Sequence, residues 1–290
     1  MPTVLADFAA YLAVERDDWD TPTRGRVILE ESQLVLVAGE GDRLTVPVRS
    51  IFDVSVETLP RVFDSMPGRP VTVAYREGST RAAVAVAANE ETVSKFTTVL
   101  FKMLLNGTPV TVRHPAKVGG RVVDSAFRGG LLSVTTSAVE FETEEGPVTV
   151  PLRSVIDFDR ETRDVNGEDR PVLVASHMDN GEALGTVAAM DSARKLSILG
   201  RYLRRHYQQV LASLEDIQLS DPETETLATI YSTGDMAVSL TSVLNEDAST
   251  VRRLLHALHE KGLVASEDGN PVLTAKGRIV VTQYLERVNA

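Results

Sequence analysis

Residues 45–54 read Thr-Val-Pro-Val-Arg-Ser-Ile-Phe-Asp-Val, and residues 149–158 read Thr-Val-Pro-Leu-Arg-Ser-Val-Ile-Asp-Phe. Six of the ten positions are identical, and the other four exchange one apolar residue for another. A second match follows in the same order, because residues 69–74 (Arg-Pro-Val-Thr-Val-Ala) resemble residues 170–175 (Arg-Pro-Val-Leu-Val-Ala). The offsets are 104 and 101 residues, so the chain contains two copies of one module whose loops differ slightly.

Each copy is built from short segments rich in Val, Leu and Thr, separated by charged and glycine-containing turns. This pattern is typical of antiparallel strands, and a segment with helical periodicity closes each copy. We expect the first helix at Glu90–Leu105, and the second from an N-cap at Asp191 toward Leu214. About seven strands and a closing helix in roughly 100 residues predict a pleckstrin-homology-like module. The strands expected in the first copy include Gln33–Ala38, Leu44–Val48, Val71–Tyr75 and Ala82–Ala87.

From about Glu215 the pattern changes to helices and one short hairpin, which predicts a winged helix-turn-helix domain. The predicted fold class is therefore α+β, with two tandem pleckstrin-homology-like modules at residues 1–110 and 111–214 and the winged helix at 215–290. The stretch Leu-Thr-x-x-Gly-Arg at 273–278 supports this, because many winged-helix proteins carry a similar one after the wing. The helices are expected at Glu223–Ser232, Met236–Asn245, Thr250–Lys261 with Ser249 as N-cap, and Ile279–Val288.

Composition argues against several classes of chemistry. The chain has no cysteine, which removes disulfides, thiolate nucleophiles and cysteine-ligated zinc. It also has no glycine-rich phosphate-binding motif and no His-Glu-x-x-His motif. We therefore expect no catalytic residues, no cofactor and no metal. The N-terminus lacks a basic region and a long apolar stretch, so no signal peptide and no membrane insertion are expected.

The third helix of the winged helix carries the basic residues that a DNA reader would use, Arg252, Arg253 and His256. Residues 215–290 nevertheless contain 12 acidic and six basic side chains, a net charge of −6 within a chain of net charge −11. A phosphate backbone would be repelled by that balance, so a protein-binding surface is favoured over DNA binding. His256 and His259 lie three residues apart, a spacing that fits surface histidines better than a metal site.

The segment between Asp191 and Glu215 contains no carboxylate. Such a basic helix could dock an acidic partner, or it could be an ordinary solvated face; the sequence leaves both readings open. The candidate protein-binding residues on this helix are Arg194, Lys195, Arg201, Arg204 and Arg205.

The ordered combination of motifs resembles the archaeal taxis protein family CheF across nearly the whole chain. The resemblance is carried by residues 4–8 (Val-Leu-Ala-Asp-Phe), 24–27 (Arg-Gly-Arg-Val), 45–53, 99–107, 114–116 (His-Pro-Ala), 119–122 (Gly-Gly-Arg-Val), 149–157 and the terminal winged helix.

That resemblance implies a non-enzymatic adaptor in archaeal chemotaxis and phototaxis signalling. Such an adaptor would bind the response regulator CheY, preferentially phosphorylated, together with the accessory proteins CheC and CheD and the archaellum switch proteins. It would be cytoplasmic and recruited to the base of the archaellum at the inner face of the membrane. The alternatives are a winged-helix transcription regulator with tandem sensor or dimerisation modules, and a module that binds membrane surfaces. A homodimer is compatible with each of these functions.

Overall fold

The computed structural model describes residues 3–15, 21–39, 42–60, 65–233, 240–267 and 269–289. It has a mixed α+β fold with large antiparallel sheets and several helices. The chain divides into two compact units, and the predicted boundaries of three domains stay predictions. The first unit comprises Met1–Val110, Gly129–Pro147 and Ala189–Arg205, and the second comprises Thr111–Arg128, Val148–Ala188 and His206–Ala290.

The first sequence copy forms seven strands and a helix in the first unit. The elements are β1 (Val4–Val14), β2 (Thr23–Glu30), β3 (Gln33–Ala38), β4 (Asp42–Pro47), β5 (Ile51–Val56), β6 (Arg69–Glu77), β7 (Thr80–Ala88) and α1 (Glu90–Leu105). The strands lie in the sheet in the order β4-β3-β2-β1-β7-β6-β5. The strand Gln33–Ala38 and the helix Glu90–Leu105 are confirmed with the expected bounds, whereas Val48 lies outside β4 and begins a 3₁₀ turn.

The second copy repeats this layout with one additional short strand. The elements are β8 (Thr108–Val118), β9 (Arg121–Val122), β10 (Arg128–Val134), β11 (Ala138–Thr143), β12 (Gly146–Pro151), β13 (Val155–Val165), β14 (Glu168–Asp179), β15 (Glu182–Ala189) and α2 (Ala193–Ala212). In the first unit β11 and β10 are neighbours, as are β3 and β2. In the second unit β8, β15, β14 and β13 are neighbours, as are β1, β7, β6 and β5 in the first copy.

The repeated ten-residue stretch forms the same local structure in both copies. Each copy ends a strand at proline and enters a 3₁₀ turn. Ser50 Oγ donates a hydrogen bond to the Pro47 carbonyl at 2.7 Å, and Ser154 Oγ donates to the Pro151 carbonyl at 2.8 Å. The following strand then shifts register at the same place, between Ile51 and Asp53 in one copy and between Val155 and Asp157 in the other. The identical Pro, Ser and Asp residues thus mark a turn and a bulge that each module needs.

The two closing helices are fixed by their caps and by one apolar face. Asn89 Oδ1 accepts a hydrogen bond from the backbone N–H of Thr92 at 2.9 Å at the start of α1. For α2, the expected cap at Asp191 is wrong. Ser192 supplies the first helical carbonyl acceptor, and its hydroxyl accepts from the Lys195 N–H at 3.3 Å. A buried stripe then runs along the first part of α2 through Leu196, Leu199, Tyr202 and Leu203.

The C-terminal helices belong to the second unit and share an apolar core. Its buried members include Leu227, Leu258, Leu263 and Val281. The expectation for Met236–Asn245 lies partly outside the described residues, and its described part is a helix from Leu240. The elements are α3 (Asp221–Thr233), α4 (Leu240–Leu244), α5 (Ala248–Glu260), β16 (Val264–Glu267), β17 (Asn270–Leu273) and α6 (Ala275–Asn289).

Two local contacts shape this helical region. The expected N-cap Ser249 is wrong, because Asp247 Oδ1 accepts from the N–H groups of Ser249 at 2.7 Å and Thr250 at 3.0 Å. The structure explains the glycine of the Leu-Thr-x-x-Gly-Arg stretch, because a Cβ at Gly277 would lie 2.0 Å from the Leu263 carbonyl oxygen. Only glycine lets the first turn of α6 approach the start of the β16–β17 hairpin this closely.

Candidate functional site

The first turn of α2 carries two of the predicted binding residues, and both side chains donate hydrogen bonds to backbone carbonyls of the first unit. The Arg194 guanidinium donates to the carbonyl of Arg49, and Lys195 Nζ donates to the carbonyl of Leu104. Both residues are half-buried. Burial, followed by the nearby charge of Arg194, lowers the pKa of Lys195 below its ordinary value.

The next turns of α2 hold Arg201 and Arg205 in the same unit. Arg201 makes two parallel hydrogen bonds to the carboxylate of Asp53, each 3.0 Å long. Arg205 donates to Ser94 Oγ at 3.2 Å, and burial lowers the pKa of its guanidinium. Arg204 is exposed.

Most of the predicted basic side chains of α2 therefore form hydrogen bonds within the first unit. Four of the five predicted residues contact β5, the 3₁₀ turn or α1, while Arg204 lies at the surface. The sequence did not identify Asp53 and Ser94 as partners, because 148 and 111 residues separate them from Arg201 and Arg205. The repeat offers one signal for Asp53, since it is one of the six identical positions.

The predicted residues of α5 have a different environment in the second unit. Arg252, Arg253 and His256 are all exposed. Within the described part of the chain, none of the three forms an ion pair or a hydrogen bond through its side chain. The spacing i, i+1 and i+4 places them on one side of α5, whose other side buries Val251 and Leu258. We call the surface formed by Arg252, Arg253 and His256 the basic face of α5.

The C-terminal end of α5 is held by one ion pair and by contacts to two backbone carbonyls, none of which involves Arg252, Arg253 or His256. Lys261 Nζ lies 2.5 Å from a carboxylate oxygen of Glu223 and 2.9 Å from the Gln218 carbonyl. Burial would raise the pKa of Glu223, but the hydrogen bonds from Lys261 and Ser220 outweigh it and the net pKa is lowered. His259 Nδ1 lies 3.2 Å from the Val264 carbonyl, a structural contact between α5 and β16. Lys261 and His259 therefore anchor the helix.

A buried histidine pair in the second unit was not predicted from the sequence. The rings of His114 and His177 stack with centroids 5.6 Å apart. The Thr186 hydroxyl lies 2.8 Å from His114 Nδ1 and 3.2 Å from His177 Nε2. Burial first, and then the charge of His114, lowers the pKa of His177 to about 4. The His177 ring is therefore neutral at neutral pH, and burial also lowers the pKa of the half-buried His114.

Two classes of site are missing from the described ranges. No group of three or more His, Asp or Glu side chains is arranged there to hold a metal ion. None of the helices in those ranges is long and apolar enough to cross a membrane.

Comparison with known proteins identifies the family. Residues 4–209 match the family model described as archaeal chemotaxis signal transduction system protein F. The chain belongs to the archaeal CheF family. Two relatives from Halobacterium salinarum are Taxis protein CheF2, 36% identical over 99% of both chains, and Taxis protein CheF1, 28% identical over 88% of this chain and 86% of that protein.

A solved structure, the Spt16D Pob3N heterodimer, aligns with 61% of this CheF-family chain and 86% of its own chain. Its sequence identity is 9% and its TM-score is 0.27. A likeness at that level carries no argument about the fold. Family membership confirms the predicted relationship to CheF and places the chain in archaeal chemotaxis signal transduction.

Proposed function

We propose that the chain is a non-enzymatic adaptor that binds phosphorylated CheY and links it to the archaellum motor switch. The observation that carries this proposal is the match to taxis proteins along almost the entire chain. CheC and CheD are further partners in this proposal. The adaptor would work in the cytoplasm and be recruited to the archaellum base. The family gives no support to the alternative of a DNA-binding transcription regulator.

The same proposal assigns the chain two pleckstrin-homology-like modules, each closed by a helix, and one winged helix. The repeated strand order and the helices α1 and α2 support the two modules. Helices α3 to α6 around the β16–β17 hairpin support the winged helix. An adaptor needs separate binding surfaces and no reacting groups, and three modules would supply such surfaces.

The α5 face is the better candidate for docking the acidic partner. A response regulator concentrates aspartates at its phosphoacceptor end, so its binding surface should be basic and accessible. Arg252, Arg253 and His256 are exposed, whereas Arg201 would first have to leave Asp53. Releasing an existing carboxylate costs part of the gain from the new one, so the uncommitted arginines offer more net affinity.

The wing itself argues against a DNA-reading role for the same helix. Glu267 is the last residue of β16, and its side chain packs against Gly181 in the β14–β15 turn. The packing is so close that a Cβ added to Gly181 would lie 2.9 Å from the Glu267 carboxylate oxygen. An acidic wing tip held against that turn presents no cation to a phosphate backbone. The basic face of α5 therefore fits an acidic protein better than a duplex.

The direct test of this surface is a pair of charge-reversed variants with matched net charge. Arg252→Glu together with Arg253→Glu should weaken binding to CheY carrying an acyl-phosphate mimic by at least about tenfold. The control reverses two exposed arginines of the second copy, Arg121→Glu together with Arg160→Glu, and should bind like the parent protein. Equal losses in both double variants would mean that only the overall charge matters, and an unchanged affinity in the first would exclude α5.

A further inference from the structure

A cavity of about 530 Å³ in the first unit has an unusual concentration of positive charge. It lies among the β2–β3 turn, the 3₁₀ turn Val48–Ser50 and the first turn of α2. This volume falls within the range of about 300–1,000 Å³ that is usual for small-molecule sites. The side chains that matter for its chemistry are Glu31, Ser32, Val48, Arg49, Arg194 and Lys195.

Three of these side chains are cationic and one is anionic, so the lining has a net charge of +2. The Arg194 guanidinium and Lys195 Nζ are fixed by the carbonyls of Arg49 and Leu104. The Arg49 guanidinium is exposed and makes no hydrogen bond or ion pair with any other described residue. The cavity thus combines two positioned cations with a third that is free to close over a ligand.

The single carboxylate in the described lining of the cavity cannot neutralise its three cations. Glu30 accepts a hydrogen bond from the side-chain amide of Gln33 at 2.5 Å, and Glu31 is the one acidic residue among the described residues that line the cavity. Glu31 is exposed at the rim. The first turn of α2 contains no acidic residue either, although that position ordinarily favours one. Burial, and after it the charge of Arg194, lowers the pKa of Lys195, and an anion in the cavity would favour the charged form of both side chains.

We propose that this cavity binds a phosphate group carried on a small molecule or a lipid headgroup. Planar guanidinium groups match phosphate oxygens with paired N–H donors, and the Lys195 ammonium adds a compact positive charge. The Ser32 hydroxyl can donate to a further oxygen. The cavity is larger than one phosphate group, so the organic part of the ligand can lie along Val48. This site does not depend on the proposed binding of CheY.

The repeat supplies a matched control for the test. Arg153 occupies the position of Arg49 in the second copy, within the corresponding 3₁₀ turn Leu152–Ser154, and it is also exposed. Arg49→Ala removes a side chain that has no partner among the described residues, so folding should be unaffected. Lys195→Met keeps the apolar stem of the side chain and removes its charge. Thermal unfolding of each variant would verify that the fold is retained.

The experiment is calorimetric titration of the full chain with pyrophosphate at constant ionic strength. We expect saturable binding that weakens at least about tenfold in Arg49→Ala and in Lys195→Met, and stays unchanged in Arg153→Ala. Sedimentation with vesicles that contain phosphatidic acid, compared with neutral vesicles, distinguishes the source. Binding to the acidic vesicles that depends on Arg49 would assign the site to a lipid headgroup. The proposal is overturned if neither probe binds, or if Arg49→Ala and Arg153→Ala behave alike.

Discussion

His177 should make the stability of the second unit depend on pH. The residue is 1% exposed in β14, stacks on His114 and lies beside the Thr186 hydroxyl. Burial, reinforced by His114 and opposed by Asp179 and the Met178 backbone, lowers its pKa from 6.5 to about 4. Between pH 6.5 and pH 4 this histidine is therefore protonated in the unfolded chain and neutral in the folded chain. Stability is complete above pH 6.5 and is lost as the pH falls toward 4.

The size of this effect follows from the two pKa values. At pH 5 an unfolded histidine is almost fully protonated and His177 in the folded state is almost fully neutral, so the loss is about 2 kcal/mol. His177→Gln should be less stable than the parent at pH 7.5 because of altered packing, but it should lose less stability between pH 7.5 and pH 5. Urea unfolding at both pH values measures the difference.

Arg153→Gln, at an exposed position of the 3₁₀ turn Leu152–Ser154 in the same unit, provides the control for that measurement and should lose as much stability on acidification as the parent protein does. Parallel pH dependences for the parent and for His177→Gln would refute the reasoning, since they would show that His177 does not couple protonation to folding.

Three further predictions concern the packing that positions the candidate surfaces. Gly277→Ala should destabilise the helical region by about 1–3 kcal/mol, because the added Cβ would overlap the Leu263 carbonyl, and chemical denaturation would measure it. A double-mutant cycle on Arg201 and Asp53 should give a coupling below about 1 kcal/mol, since both side chains are partly exposed; a much larger value would contradict the solvent screening assumed here. Leu100→Ala in the wholly buried face of α1 should cost about 2–5 kcal/mol in the same unfolding assay, and a cost below about 1 kcal/mol would contradict that burial.

Sequence patterns predicted the elements well where the local signals were strong and did not conflict. The helix Glu90–Leu105 has acidic residues in its first turn, a regular apolar stripe and Asn106-Gly107 after its last turn, so its ends could be placed. The strand Gln33–Ala38 is a run of apolar residues bounded by polar ones and was placed equally well. The internal repeat carried the most information, because it predicted two related modules whose strand order the structure repeats.

Helix starts were less predictable where several capping residues are adjacent. Asp191 and Ser192 are both residue types that can cap α2, and the hydrogen bonds from the Lys195 and Leu196 N–H groups identify Ser192 as the cap. The choice between Asp247 and Ser249 at α5 has the same origin, because Asp247 reaches two N–H groups and Ser249 supplies one of them.

The long-range pairings could not be read from the sequence. Arg201 meets Asp53 only because α2 lies against the sheet of the first unit, and a basic helix read alone suggested an open docking face. His114 and His177 meet because β8 and β14 are both neighbours of β15, a relation that depends on strand order. The exposed face of α5 was recognised because it lies on one helix, where the spacing of residues determines which side they share.

The most direct test of the adaptor function uses immobilised CheY, the full chain and the archaellum switch proteins together. We predict that CheY retains the switch proteins only when this chain is present, and retains more of them when CheY carries an acyl-phosphate mimic. Retention of the switch proteins to the same extent without this chain, or no retention in its presence, would contradict the account.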